Sequence, residues 1–250
     1  MESAKRHLLL LDDFGISSEG LLAWWRHDEG TGLVIKDSKN GYNGTGVGLT
    51  WGTCPDGVTP FAWYLPTDYT HGIGNVLKIT GGFTIMVAIR PNVLVANRCI
   101  IAKRRGAGGT QRCNYQLLLA AAPDEIGFFF TEGDTATWAS YVTTNLNMQV
   151  NSWYFVTISY TFGDAGSMKV YKGTTLLTGG WGAGGGVGYN SNELNYVILG
   201  SMNDNNPGQD IGTANWWEGG IGDLLLYNKT LVLPEITQTY NALKPRYLLA

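Results

Sequence analysis

The chain has 250 residues, a formal net charge of −3 from 17 Lys+Arg against 20 Asp+Glu, and only 15% charged residues, against the ~25% usual in globular domains. Its 44% hydrophobic content excludes a disordered tail. The charge balance excludes a broad basic face for nucleic acid, and no apolar run approaches the ~18 residues of a membrane-spanning helix. The 35 glycines and 12% aromatic residues point to many short strands joined by tight turns.

In chain order, residues 1–20 read as an N-terminal arm or edge segment and 21–250 as one domain. The leucine run at 8–11 stops at Asp12-Asp13, short of the ~7–15 apolar residues in a secretory signal, so export by that route is not expected. Strands are predicted at 21–25 and 32–37, then at 83–90, where the residues are apolar nearly throughout. Segments 99–103 and 115–119 flank Lys103-Arg104-Arg105, which reads as a solvated hairpin loop. A further pair is predicted at 126–131 and 138–143. The long strand 153–160 turns at Gly163-Asp164-Ala165-Gly166 into 168–172, and the series closes with 176–177, 196–200 and 219–227. About a dozen strands at short spacing, with no helical period between them, predict an all-β antiparallel sandwich.

One segment breaks the pattern. Ile236, Tyr240 and Leu243 fall at i, i+4 and i+7, with Pro234 and Glu235 suited to a helix start and Pro245 to its end. A single short C-terminal helix is therefore predicted over 233–243. Cys54, Cys99 and Cys113 are odd in number and lack C-x-x-C spacing, so neither a disulfide framework nor a zinc site is expected. His7, His27 and His71 sit in polar stretches and read as surface imidazoles. H-E-x-x-H and G-x-S-x-G are absent.

The order of the pieces resembles the concanavalin A-like lectin/glucanase superfamily, and within it the laminin G-like, pentraxin-type jelly roll. Leu22-Ala23-Trp24-Trp25 with Asp37-Ser38-Lys39-Asn40-Gly41 is similar to that family's first hairpin, and Phe83-Thr84-Ile85-Met86-Val87 to its central strand. Trp153-Tyr154-Phe155-Val156-Thr157 followed by Lys169-Val170-Tyr171-Lys172-Gly173 is the most specific part. Trp217-Glu218-Gly219-Gly220-Ile221-Gly222-Asp223-Leu224 completes the series. The closing stretch from Glu235-Ile236 to Arg246-Tyr247 is also similar to laminin G-like domains of bacteriophage structural proteins. That resemblance implies a virion protein made in the bacterial host's cytoplasm, a capsid decoration or a tail or fibre component, in contact with other virion proteins or further copies of itself.

Enzymes of this superfamily carry E-x-D-x-x-E, whose outer acids act as nucleophile and acid/base; retaining hydrolysis needs the two carboxyls ~5–5.5 Å apart. Here Glu132-Gly133-Asp134-Thr135-Ala136-Thr137 ends in threonine, so catalysis is not expected, and a degenerate polysaccharide hydrolase is the remote alternative. The nearer alternative is a lectin that binds a host surface glycan with the help of Ca²⁺. The loop holding Asn203, Asp204, Asn205 and Asp210 leads to Asn215-Trp216, and oxygen-rich side chains followed by tryptophan suit either a sugar or Ca²⁺. Asn203, Asn205, Asn215, Trp216 and Trp181, the last in the glycine-rich 179–186 segment, are the candidate glycan contacts. Asp204 and Asp210 are candidate metal ligands, joined by Asp68, which the resemblance places at a calcium-ligating position.

Overall fold

The computed structural model describes residues 15–74, 76–105, 112–120, 124–132, 137–144, 146–189, 196–202 and 215–249. Strand β7 (Gly82–Pro91) shows why a strand here is apolar on both faces. Phe83, Ile85, Val87 and Ile89 project into the space between two sheets, whereas Met86 and Ala88 project into an outer layer under the C-terminal helix. Successive side chains of a strand alternate between faces, so a nearly unbroken apolar run is what a strand buried on both sides requires.

The first sheet runs β14 (Thr175–Leu176), β13 (Asp164–Lys172), β12 (Tyr154–Thr161), β7, β17 (Gly219–Tyr227), β5 (Pro60–Tyr64), β4 (Thr50–Thr53), with β1 (Leu21–Trp25) also paired to β17. The second runs β15 (Gly179–Ala183), β11 (Trp138–Thr143), β10 (Ile126–Thr131), β9 (Arg112–Leu119), β8 (Arg98–Arg105), β16 (Val197–Leu199), β6 (Tyr69–His71), β3 (Gly44–Val47), β2 (Val34–Ile35). Every named pairing is antiparallel. Trp25, Tyr64, Phe128, Tyr160 and Leu226 fill the space between the sheets. This is the predicted sandwich.

Helix α1 (Leu233–Leu243) forms where the periodicity placed it and lays Ile236, Tyr240 and Leu243 on the outer face of the first sheet, against Trp24, Phe155 and Tyr227. Ile16 is buried in the same layer, and the Ser17 amide donates to Thr239 Oγ1 at 3.2 Å. A turn over Lys244–Tyr247 then ties the chain end to the sheet. Asp223, fully buried, accepts from Trp24 Nε1 (2.8 Å), Arg246 Nη1 (2.9 Å) and Tyr247 OH (2.8 Å). The first hairpin owes its motif to Asp37, whose carboxylate accepts four backbone N–H groups, from Trp24, Lys39, Asn40 and Tyr42.

Several expectations are corrected. Strands β3 to β6 occupy 44–71, where none was predicted; they are short, and Pro60 and the glycines disguise them. The glycine-rich segment folds in part as edge strand β15, held by β11. Lys103 and Arg104 are not loop residues: both lie in β8 and are buried.

His27 is likewise no surface imidazole. Its backbone turns inward at φ 51°, and its ring is fully buried between the sheets. Nδ1 lies 2.8 Å from the Gly222 carbonyl and Nε2 3.2 Å from Tyr64 OH, which in turn lies 2.9 Å from Thr70 Oγ1. A carbonyl only accepts, so Nδ1 carries the proton and Nε2 accepts from Tyr64. Burial pulls the His27 pKa down to about 4.

Candidate binding groove on the nine-stranded sheet

The outer face of the first sheet is roofed by α1, whereas among the described residues no helix covers the second sheet's outer face. The alternation that sends Leu117, Leu119, Phe128, Phe130 and Ala139 into the core sends Gln116, Leu118, Phe129, Trp138 and Ser140 the other way. Register then aligns them, for Gln116 pairs with Phe129, and Phe129 with Ser140, in a row across β9, β10 and β11. Gly127 keeps the neighbouring row low, since a Cβ there would stand 2.5 Å from the Phe129 ring.

Asn97, Arg104, Met202 and Asn215 complete the walls of a groove of about 300 Å³, the lower end of the size range for small-ligand sites. The Arg104 guanidinium lies over the Trp138 ring, 5.0 Å from its centroid, and Nη1 donates to Gln116 Oε1 at 3.2 Å and to Met202 Sδ at 2.7 Å. Such a stacked cation holds the indole in one orientation. Leu118 and Met202 belong to a buried apolar cluster with Cys99, Ala102 and Ala120, and Phe129 packs against it. Asn97 and Asn215 both take left-handed backbone, with φ of 61° and 55°, a conformation asparagine tolerates better than most residues. Asn215 is pinned by its carbonyl, which accepts from the Cys99 amide at 2.8 Å. Among the described residues lining the groove there is no carboxylate.

The sequence-derived candidates divide sharply. Asn215 lines the groove, and Trp216, half-buried, follows it directly in the chain. Trp181 does not line it; the ring packs against Tyr160 and Tyr141, with centroids 5.3 and 5.4 Å away, and its Nε1 donates to the Ala165 carbonyl at 3.2 Å. Trp181 is thus a wedge sealing one end of the core, not the exposed contact expected.

Asp68 is buried and turned to its own chain, its Oδ2 accepting the Leu65 amide at 2.7 Å. It fills the space left by Gly48, where a Cβ would stand 1.9 Å from Oδ1. Burial raises its carboxyl pKa. No three His, Cys, Asp or Glu side chains cluster among the described residues. The other candidate metal ligands, Asp204 and Asp210, together with Asn203, Asn205 and Asp134, lie outside the described residues. Reading by segment missed Arg104, Gln116, Phe129 and Trp138. The signal was present in the alternation, as polar or aromatic residues on the outward phase of strands whose inward phase is core.

The family model Laminin_G_3, described as the concanavalin A-like lectin/glucanases superfamily, matches residues 67–237. The chain belongs to that superfamily. The match runs from the turn before β6 into α1 and so includes every residue lining the groove. A comparison with curated proteins finds no match.

Solved structures share the fold at low identity. Domain 4 of AbnA, a GH43 extracellular arabinanase from Geobacillus stearothermophilus in complex with arabinotriose, aligns with a TM-score of 0.60 at 15% identity, covering 90% of this superfamily member and 100% of that domain. The binding domain of botulinum neurotoxin serotype D gives 0.57 at 14%, over 89% of this chain and 50% of that one. A Trypanosoma rangeli sialidase mutant displaying trans-sialidase activity gives 0.60 at 12%, over 100% and 39%. The chain thus spans half or less of the toxin and sialidase chains.

Proposed function

We propose that the protein is a non-catalytic glycan-binding module, with the groove on the nine-stranded sheet as its site. The carrying observation is the Arg104–Trp138 stack beside the amides of Asn97, Gln116 and Asn215 and the hydroxyl of Ser140. Saccharides present apolar C–H faces together with hydroxyls, and an aromatic wall with a few placed polar groups suits both. The arabinotriose bound to the AbnA domain supports a sugar as the ligand class. The absence of a carboxylate among the described lining residues, with Thr137 in place of the last acid of the glucanase motif, favours holding a glycan over cutting it.

A glycan array read with and without chelator tests this. Binding that Trp138→Ala abolishes supports the reading, and a blank array in both conditions contradicts it. Loss of signal on adding chelator would show that binding needs Ca²⁺. Reducing-end release from a polysaccharide, lost in Glu132→Gln, would overturn the non-catalytic part.

The setting we propose is a bacteriophage particle that uses the module for host attachment. Its support is the resemblance of residues 235–247 to phage structural proteins. Mass spectrometry of purified particles tests this; a protein found only unattached contradicts it.

A further inference from the structure

Asn-Gly dipeptides occur twice in the chain, at 40–41 and 43–44, and every other asparagine precedes a residue with a side chain. Asparagine is a thermolabile residue, most of all before glycine, where no Cβ keeps the next backbone nitrogen away from the side-chain carbonyl carbon. The two pairs stand in unlike places. Gly44 is buried at the start of β3, opposite Ile35, and a Cβ there would stand 2.4 Å from Thr70 Cγ2, so its backbone has little room to turn toward Asn43. Asn40 and Gly41 are both exposed and outside any strand. Gly41 takes a φ of 80° with nothing within 4 Å of its Cβ position, and its N–H makes no hydrogen bond among the described residues. Asn40 is also a fastening point. Leu22 sits at the register shift between β1 and β17, and Asn40 Nδ2 donates to its carbonyl at 2.7 Å. The backbone amides of Asn40 and Tyr42 both reach Asp37 Oδ2, at 2.9 and 3.0 Å.

We propose that Asn40 is a deamidation site whose product unfastens the first hairpin. The Gly41 nitrogen loses its proton to hydroxide and attacks Asn40 Cγ. A C–N bond forms, the bond from Cγ to Nδ2 breaks, and the nitrogen leaves as ammonia with a proton from water. Water then adds to either carbonyl of the cyclic succinimide and opens it. One opening gives aspartate, and the other gives isoaspartate, with an extra carbon in the main chain. Nothing is oxidised or reduced. Both products replace the Nδ2 donor by a carboxylate, which only accepts when ionised. The Leu22 carbonyl then loses its partner and faces a negative charge three residues from that of Asp37. Isoaspartate also lengthens the chain between the two amides that share Asp37 Oδ2, and so pulls them apart.

The experiment incubates the folded full chain in mildly alkaline buffer and follows each asparagine by peptide mass mapping, with an isoaspartyl methyltransferase to mark isoaspartate. Each conversion adds one negative charge, so ion exchange separates the converted chain from the intact one. Asn40 should convert several-fold faster than Asn43, and faster as pH rises. The fraction converted at Asn40 should show a lower urea midpoint and faster amide hydrogen exchange at residues 37–42 than the intact fraction. Asn40→Gln, whose longer side chain closes the ring far more slowly, should yield no early acidic fraction. Should that variant fail to fold, the comparison of Asn40 with Asn43 within the wild-type chain decides. Conversion at Asn43 first, equal rates at both, or no conversion at Asn40 overturns the site. A converted fraction as stable and as protected as the intact chain overturns the unfastening.

Discussion

The two outer faces of the sandwich are built by the same alternation and lined in opposite ways. On the eight-stranded sheet, Trp24, Met86, Phe155, Leu225 and Tyr227 are roofed by α1, and the fully buried acid Asp223 is met by an indole, a guanidinium and a phenol. On the nine-stranded sheet, Gln116, Phe129, Trp138 and Ser140 form a groove wall with Arg104 stacked on the indole. The lesson is that a buried polar cluster satisfied wholly by the chain serves stability, whereas amides and a hydroxyl ranged beside an aromatic wall in a groove are the lining that the proposed glycan site calls for.

Substitutions should separate the faces by what they disturb. The largest effect is expected at Asp223→Ala, which leaves the half-buried Arg246 guanidinium facing an empty site. Breaking a buried ion pair typically costs about 3–5 kcal/mol, to be seen as a lower urea midpoint, with glycan affinity of the folded fraction unchanged. Loss of affinity without loss of stability would contradict the division.

Next comes acid stability, through His27. Its folded pKa of about 4 lies below the unfolded 6.5, so the unfolded chain takes the proton first. The neutral form's contribution is complete above pH 6.5 and is lost as pH falls toward 4, by roughly 3 kcal/mol in all. Urea titrations at several pH values should give His27→Gln a shallower decline than the wild type over that window. Equal slopes would remove His27 as the cause. Asp223 and Asp68, whose carboxyl pKa values are raised by burial, act in the opposite sense and cancel in this difference.

On the groove face the effects are smaller and fall on binding. Trp138→Ala should weaken glycan affinity by about 30-fold, the ~2 kcal/mol of a tryptophan anchor, with little change in the urea midpoint. Gln116→Ala should cost about fivefold, near the ~1 kcal/mol of one hydrogen bond, by titration calorimetry. A Gln116 effect exceeding that of Trp138 would shift the site away from the aromatic wall.

The fold was legible because its strongest signals are local. The nearly unbroken apolar run at 83–90 and the i, i+4, i+7 stripe of Ile236, Tyr240 and Leu243 each report their own burial. The groove was not, because Gln116, Phe129 and Ser140 meet only through the register of three strands, and no single segment announces that row. The tryptophan chosen from composition, Trp181, sits among glycines yet closes the core, since the edge strand turns its ring inward toward Tyr160. His27 misled in the same way. Its neighbours Arg26 and Asp28 are polar and pair with each other at 2.8 Å, while the left-handed turn carries the imidazole inside. Asn215 was singled out because loop asparagines ahead of tryptophan are a local sign, and it does line the groove.

The most direct test is a ¹⁵N-labelled NMR titration with the strongest glycan from the array, following the indole N–H signals. Trp138 should shift on binding while Trp181 and Trp24 stay in place, and the same ligand should leave Trp138→Ala unperturbed. Shifts at Trp181 with a silent Trp138 would place the ligand elsewhere and contradict the groove as the site.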